Sequence, residues 1–217
     1  LGYWIIGQFG TKAPRLLSRD KIEKEEPAIN TESVAGGIEY RDGILIDNDA
    51  RFVFSFVRSA IEAGAAAANY VELVSAERHG DRWVAHLRDV DTGEEFQTSA
   101  RTIVNAAGPF VDETNRGWGM TTEHRIVYSK GIHLVVPRLT TKHHDKVLAF
   151  YDDTERLFYV IPMGRRSVIG TTDTRVDTPF TEVDEDDIEF LLGQINARMD
   201  LDTPLTEDDI LARRTGV

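Results

Sequence analysis

Leu157 to Thr171 reads as two apolar runs on either side of Met163-Gly164-Arg165-Arg166, and this hairpin limits the fold more than any other feature. Strands joined by so short a turn are neighbours and antiparallel. Ile132 to Val136 and Leu148 to Tyr151 are two further strand-like runs ahead of it. Behind it, Asp184 opens a helix whose inner face is Ile188, Leu191, Leu192, Ile195 and Met199. The carboxylates from Asp184 to Asp187 suit the positive end of the helix dipole and need no metal to explain them. Thr206, with Glu207, Asp208 and Asp209 behind it, starts a second short helix, and ARRTGV is strand-like. The expectation is an α+β fold made mainly of antiparallel sheet.

The first half is more mixed. Ser18, ahead of Arg19, Asp20 and Lys21, opens a short helix that ends before Pro27. Ala35-Gly36-Gly37 reads as a breaker, and Ile38 to Ile46 as a strand pair around Asp42-Gly43. Asp47-Asn48-Asp49 supplies caps for an amphipathic helix with Phe52, Phe56, Ala60 and Ile61 near helical spacing and Gly64 as its stop. A β-meander follows over Tyr70 to Ala76, Trp83 to Asp89 and Glu95 to Thr98, turning at His79-Gly80-Asp81 and Asp91-Thr92-Gly93. Arg101 to Ala106 is the next expected strand.

Composition removes several function classes. A net charge of −12 argues against nucleic acid as the main partner, which needs a basic footprint. It leaves room for an anionic substrate held by a few local arginines. The chain has no cysteine, so disulfides, thiolate metal sites and thiol catalysis are all absent. No apolar run approaches the ~20 residues of a membrane span. LGYWIIGQFG lacks the basic start and cleavage site of a signal peptide and resembles the interior of a longer chain. His143-His144 are adjacent, with no third ligand evident, and read as exposed loop.

The strand expected to end at Ala106 finishes on Ala106-Ala107-Gly108. Such small residues leave the backbone bare, so that a flat or anionic ligand can approach the main-chain amides; a tight turn against a neighbouring helix is the plainer reading. The wider segment ARTIVNAAGPFVDE resembles the second flavin-contact segment of the FAD-dependent glycerol-3-phosphate dehydrogenases, within the D-amino-acid-oxidase-like flavoenzymes. GIEYRDGILIDNDARFVFSFVRSAIEAGA, with its acidic element at Asp49-Ala50-Arg51, is similar to that family's stretch ahead of its helix. ANYVELVSAERHGDRW and DVDTGEEF resemble its meander, SKGIHLVVP its substrate-side strand, and FYVIPMGRRSVIGTTDT its IGTTD hairpin. The resemblance runs from about Leu16 to Val217.

The resemblance implies a substrate (cap) domain of mainly antiparallel sheet, at residues 1–42 and 116–217. Residues 43–115 would be an incomplete piece of an FAD-binding Rossmann-like α/β domain with its meander. The implied activity is oxidation of glycerol 3-phosphate to dihydroxyacetone phosphate, with FAD as cofactor and a quinone as electron acceptor. Peripheral membrane association of the intact protein on the cytoplasmic side follows from that acceptor, with the fragment itself soluble. His133 is the implied base. Lys130, Thr171, Thr172 and Asp173 are the implied substrate-binding residues, and Leu73, Ala106, Ala107 and Gly108 the implied FAD contacts.

Two departures stand out. The GxGxxG fingerprint is absent, since Gly2, Gly7 and Gly10 have neither its spacing nor its context. The family's Arg-Pro-Leu element, with an arginine expected to bind substrate, belongs just past Val217. The piece alone is therefore expected to be inactive. A related FAD-dependent amine or amino-acid oxidase and a non-catalytic β-rich binding module are the competing readings. Arg165 and Arg166 are expected in a solvated turn, and either Phe158 or Tyr159 to face a pocket.

Overall fold

The computed structural model describes residues 2–43, 45, 48–140, 145–151 and 156–217. In chain order these form α1 (Gly2–Ile6), β1 (Arg15–Ser18), α2 (Arg19–Glu25), β2 (Gly36–Glu39), α3 (Asp49–Glu62), β3 (Val71–His79), β4 (Arg82–Asp89) and β5 (Glu95–Ala100). After a 3-10 turn at Gly108–Phe110 come α4 (Val111–Gly117), β6 (Tyr128–Pro137), β7 (Leu148–Tyr151), β8 (Leu157–Met163), β9 (Arg166–Gly170), β10 (Thr174–Val176), α5 (Glu185–Arg198) and β11 (Ala212–Gly216). His143-His144 and Asp47 lie outside the described residues. The chain divides into two compact units, one of Leu1–Arg41 with Val127–Val217, the other Asp42–Ile126.

The first unit is built on β6. In its sheet the order is β10-β6-β9-β8-β7, and β11 pairs with the other edge of β6. Every pairing is antiparallel, including the expected β8–β9 hairpin. Alternation along β6 sends Ile132, Leu134 and Val136 to one face, where all three are fully buried. There they join Phe158, Val160 and Ile169 from the neighbouring strands, and Ile188, Leu191, Ile195 and Met199 of α5. Each such fully buried aliphatic side chain is worth roughly 1.5–3 kcal/mol of burial. Asp184 caps α5 by accepting from Asp187 N at 2.9 Å, and Asp187 Oδ2 accepts from Asp184 N in return. The expected start at Thr206 appears as a 3-10 turn over Glu207–Asp209.

The glycines expected to break the chain at Gly36-Gly37 lie inside β2, which pairs with β1. A Cβ on Gly36 would sit 2.8 Å from the carbonyl oxygen of Leu17, so a strand can pass here only without a side chain. The expected strand pair around Asp42-Gly43 does not form among the described residues, because β1 supplies the partner. Arg15 ties the two strands by binding Glu25 of α2 and Glu39 of β2, the latter at 2.8 Å.

In the second unit the meander β3-β4-β5 forms as expected. Asn48 caps α3, its Oδ1 accepting from Arg51 N at 3.0 Å. The strand expected over Arg101 to Ala106 is not one: the chain there is irregular and Val104 is exposed. A strand exists by its ladder, and among the described residues nothing pairs with this segment.

Candidate active site

His133 lies at the centre of the first unit's sheet, on the face opposite the α5 core. Register places it directly across from Arg214 of β11 on one side and Gly170 of β9 on the other, with Tyr159 of β8 opposite Gly170 in turn. Residues opposed in an antiparallel ladder share a face, so Arg214, His133, Gly170 and Tyr159 form one row. Gly170 is the gap in that row. A Cβ there would lie 2.8 Å from His133 Cδ2 and 2.5 Å from the Ile132 carbonyl oxygen, so the imidazole rests against bare backbone. Burial pushes the His133 pKa below the ordinary histidine value, and the charge of Arg214 adds to the effect.

Thr171 follows Gly170 and belongs beside this row. Its Oγ1 fills the space above Gly131, 2.7 Å from where a Cβ would be, on the face that His133 also uses. Thr172 is buried and faces inward: its Oγ1 accepts from Ile132 N at 3.1 Å, pinning the start of β6. Asp173 is exposed and accepts from Ser129 Oγ, while its carbonyl accepts from Arg156.

Lys130, expected among the substrate-binding residues, is engaged by carboxylates at the start of α5. Its ammonium reaches Asp184 Oδ2 and Asp187 Oδ2, both at 2.6 Å, and only 7% of its side chain is exposed. As an even-numbered residue of β6 it points toward α5, away from His133. The pairing raises the Lys130 pKa and lowers that of Asp184, through hydrogen bonds between the two. A cavity of about 690 Å³ does bring Lys130, Thr171, Thr172 and Asp173 together at this end of β6, but His133 is not in its lining. Of the two aromatics, Phe158 is core, stacked on Phe150 at 5.5 Å, and Tyr159 is on the His133 face. Arg165 and Arg166 are exposed at the hairpin turn, as expected.

Sequence reasoning missed Arg214, Gly131 and Gly170. The glycines stand in plain view within the KGIH and IGTTD motifs, but only the register shows what would collide with a side chain.

In the second unit, Ala106, Ala107 and Gly108 are exposed, and the backbone turns at Gly108 with φ +56°. Asn105, also missed, holds this turn: Nδ2 donates to the Val111 carbonyl at 3.0 Å and Asn115 Oδ1 at 2.8 Å, and Oδ1 accepts from Ala107 N at 3.1 Å. An asparagine directly ahead of small residues is the signal that marks such a turn. Leu73 adjoins a β-bulge, where the β3–β4 register shifts between Leu73 and Ser75.

Residues 5–217 match the family model described as FAD dependent oxidoreductase. The chain belongs to that family. Its members are flavin-dependent oxidoreductases, and FAD is their cofactor. Among solved structures, the FAD-complexed glycerol-3-phosphate dehydrogenase of Bacillus halodurans superposes with a TM-score of 0.77 at 26% identity, over 95% of this chain and 44% of that one. The mitochondrial glycerol-3-phosphate dehydrogenase of Macaca fascicularis is 29% identical over 98% of this chain. Glycerol-3-phosphate dehydrogenase 2 of Mycobacterium bovis is 32% identical over 94% of it. The chain spans 30% and 34% of the lengths of these two relatives. The FAD oxidoreductase fold is a mixed α/β one here, with antiparallel sheets in both units.

The residues present fit a flavin nucleotide. The strip at Ala106-Ala107-Gly108 carries nothing larger than a methyl group and is exposed, with open space where a Gly108 Cβ would be. The bulge beside Leu73 leaves Val74 outside the β3–β4 register, while Leu73 itself pairs with Leu87. Among the described residues no helix is long and apolar enough to cross a membrane, and no cluster of potential metal ligands occurs.

Proposed function

We propose that the protein carrying this chain oxidises sn-glycerol 3-phosphate to dihydroxyacetone phosphate, reduces FAD, and passes the electrons to a quinone. The observation that carries the reading is the row across β11, β6, β9 and β8, with a half-buried imidazole between an arginine and a glycine. The names of the relatives support the choice of substrate.

Bound FAD supplies the two-electron acceptor. His133 takes the proton of the substrate hydroxyl, and a pKa held below the ordinary histidine value keeps it in the neutral form that a base requires. Thr171 orients a substrate oxygen from beside Gly131. Ala106, Ala107, Gly108 and Leu73 hold the cofactor through main-chain groups. Thr172 and Asp173 act one step back, fixing the end of β6 on which the base stands, and Lys130 anchors that end to α5. A quinone acceptor puts the enzyme at a membrane surface, peripherally and on the cytoplasmic side in this reading.

The test is an anaerobic visible spectrum of the full-length protein before and after glycerol 3-phosphate. A bound flavin that bleaches supports the reading, and His133→Ala should then slow bleaching by about 100-fold or more, the usual contribution of a positioned base. A flavin that stays oxidised with this substrate but bleaches with an amino acid would transfer the protein to the amine-oxidising relatives. A colourless protein would end the flavoenzyme reading.

A further inference from the structure

We propose that Arg214 is an anion-binding residue of this site and holds the phosphate of a phosphomonoester substrate beside His133; this rests on the reading above. The arginine that the sequence resemblance implies lies past Val217 and is a different residue.

Three observations carry it. Arg214 is paired in register with His133, on the same face and one strand away. Its neighbour Arg213 alternates to the other face and is engaged, with Nη2 2.6 Å from Glu207 Oε1. Arg214 itself is exposed, and among the described residues no carboxylate neutralises it. A guanidinium is a planar fork matched to a phosphate, and a net charge of −12 makes one uncompensated cation beside the base notable.

The rest of the row leaves room for a ligand. Gly170 has no side chain, Tyr159 lies beyond it, and Gly131 and Gly216 oppose each other on the next step of the ladder. A substrate spanning this step places its hydroxyl at His133 and its anionic end at Arg214. The groups facing His133 are Arg214 from β11 and, past Gly170, Tyr159 from β8; Arg175 of β10 enters the same face farther along, opposite Ser129. Of these, Arg214 is the charge nearest the imidazole in register.

The experiment compares Arg214→Ala, Arg214→Lys and Arg213→Ala in the full-length flavoprotein, after flavin content and circular dichroism have shown each to be folded. Calorimetric titration with inorganic phosphate is the first readout and needs no turnover. Phosphate affinity should fall about 10- to 100-fold in Arg214→Ala, recover in part in Arg214→Lys, and hold in Arg213→Ala. In turnover at a pH above the His133 titration, KM for glycerol 3-phosphate should rise by a similar factor, and the loss should be clearly smaller for glycerol, which has no phosphate to hold. The acid limb of the kcat/KM profile should move to higher pH in Arg214→Ala, because the cation that disfavours protonation of His133 is gone.

Phosphate affinity unchanged in Arg214→Ala, or equal losses with glycerol and glycerol 3-phosphate, overturns the proposal. Wild-type flavin that does not bleach with glycerol 3-phosphate, together with phosphate binding lost in Arg214→Ala, leaves the anion site standing and removes the glycerol 3-phosphate reading.

Discussion

Gly170→Ala is the substitution for which the structure sets the steepest expectation. A Cβ at this position would lie 2.5 Å from the Ile132 carbonyl oxygen and 2.8 Å from His133 Cδ2, and the residue sits at φ +146°. Neither obstacle is a flexible chain end: one is backbone in the middle of β6, the other a ring held between two strands. Overpacking of this kind costs about 1–3 kcal/mol. A backbone conformation that L residues rarely adopt adds about 1–3 kcal/mol. Together they amount to roughly 2–6 kcal/mol, which for a chain of this size lowers the melting temperature by about 4–24 °C. Thermal unfolding followed by circular dichroism reads this directly, and Gly193→Ala supplies the contrast. Gly193 is an exposed position in α5 with nothing within 4 Å of its added Cβ. There, alanine should stabilise by about 0.5–1 kcal/mol. If Gly170→Ala melts within about 2 °C of the parent, β6 and β9 are not pressed together as described, and the row around His133 loses its basis.

Two further outcomes follow from the ion pairs. Lys130→Met strands the buried Asp187 carboxylate and should cost about 2–4 kcal/mol in urea unfolding, less than for a fully enclosed pair because Asp184 stays half in water; adding Asp187→Leu should recover part of the loss. The hydrogen bond from Arg15 holds Glu39 at a pKa of about 2, below its ordinary 4.5. Its stabilisation is therefore complete above the ordinary value and drains away as pH falls from there toward 2. Unfolding free energies measured across that window should decline less steeply in Glu39→Gln than in the parent, and identical slopes would show that the Arg15 cluster does not couple to folding.

What could be seen in the sequence was what neighbours in sequence determine. The β8–β9 hairpin, the meander and α5 each carry their period and their turn or cap within one short segment. What stayed hidden depended on distant partners. Gly36-Gly37 has the composition of a break and the position of a strand, because Leu17 passes so close. Arg101 to Ala106 has the β-branched content of a strand and, among the described residues, no neighbour to make it one. Within the site, His133 and the IGTTD residues announced themselves by motif, but nothing local separates Thr171, on the His133 face, from Thr172, one residue on and buried beneath it. Nothing near Lys130 in sequence announces the two carboxylates that α5, some fifty residues later, brings to it. Arg214 is invisible without the register of β11.

That register also sets an order of events during synthesis. β7, β8 and β9 pair within a short span, and α5 follows to cover their apolar face. β11 must wait for the ribosome to deliver Ala212–Gly216 before it can add to an edge strand made some eighty residues earlier. Until then the edge of β6 that bears His133 is an open row of backbone donors and acceptors, which another chain could pair with as readily as its own. Arg213 and Arg214 arrive on the strand that closes this edge, so the residue proposed to hold the substrate is also part of what ends the nascent chain's exposure.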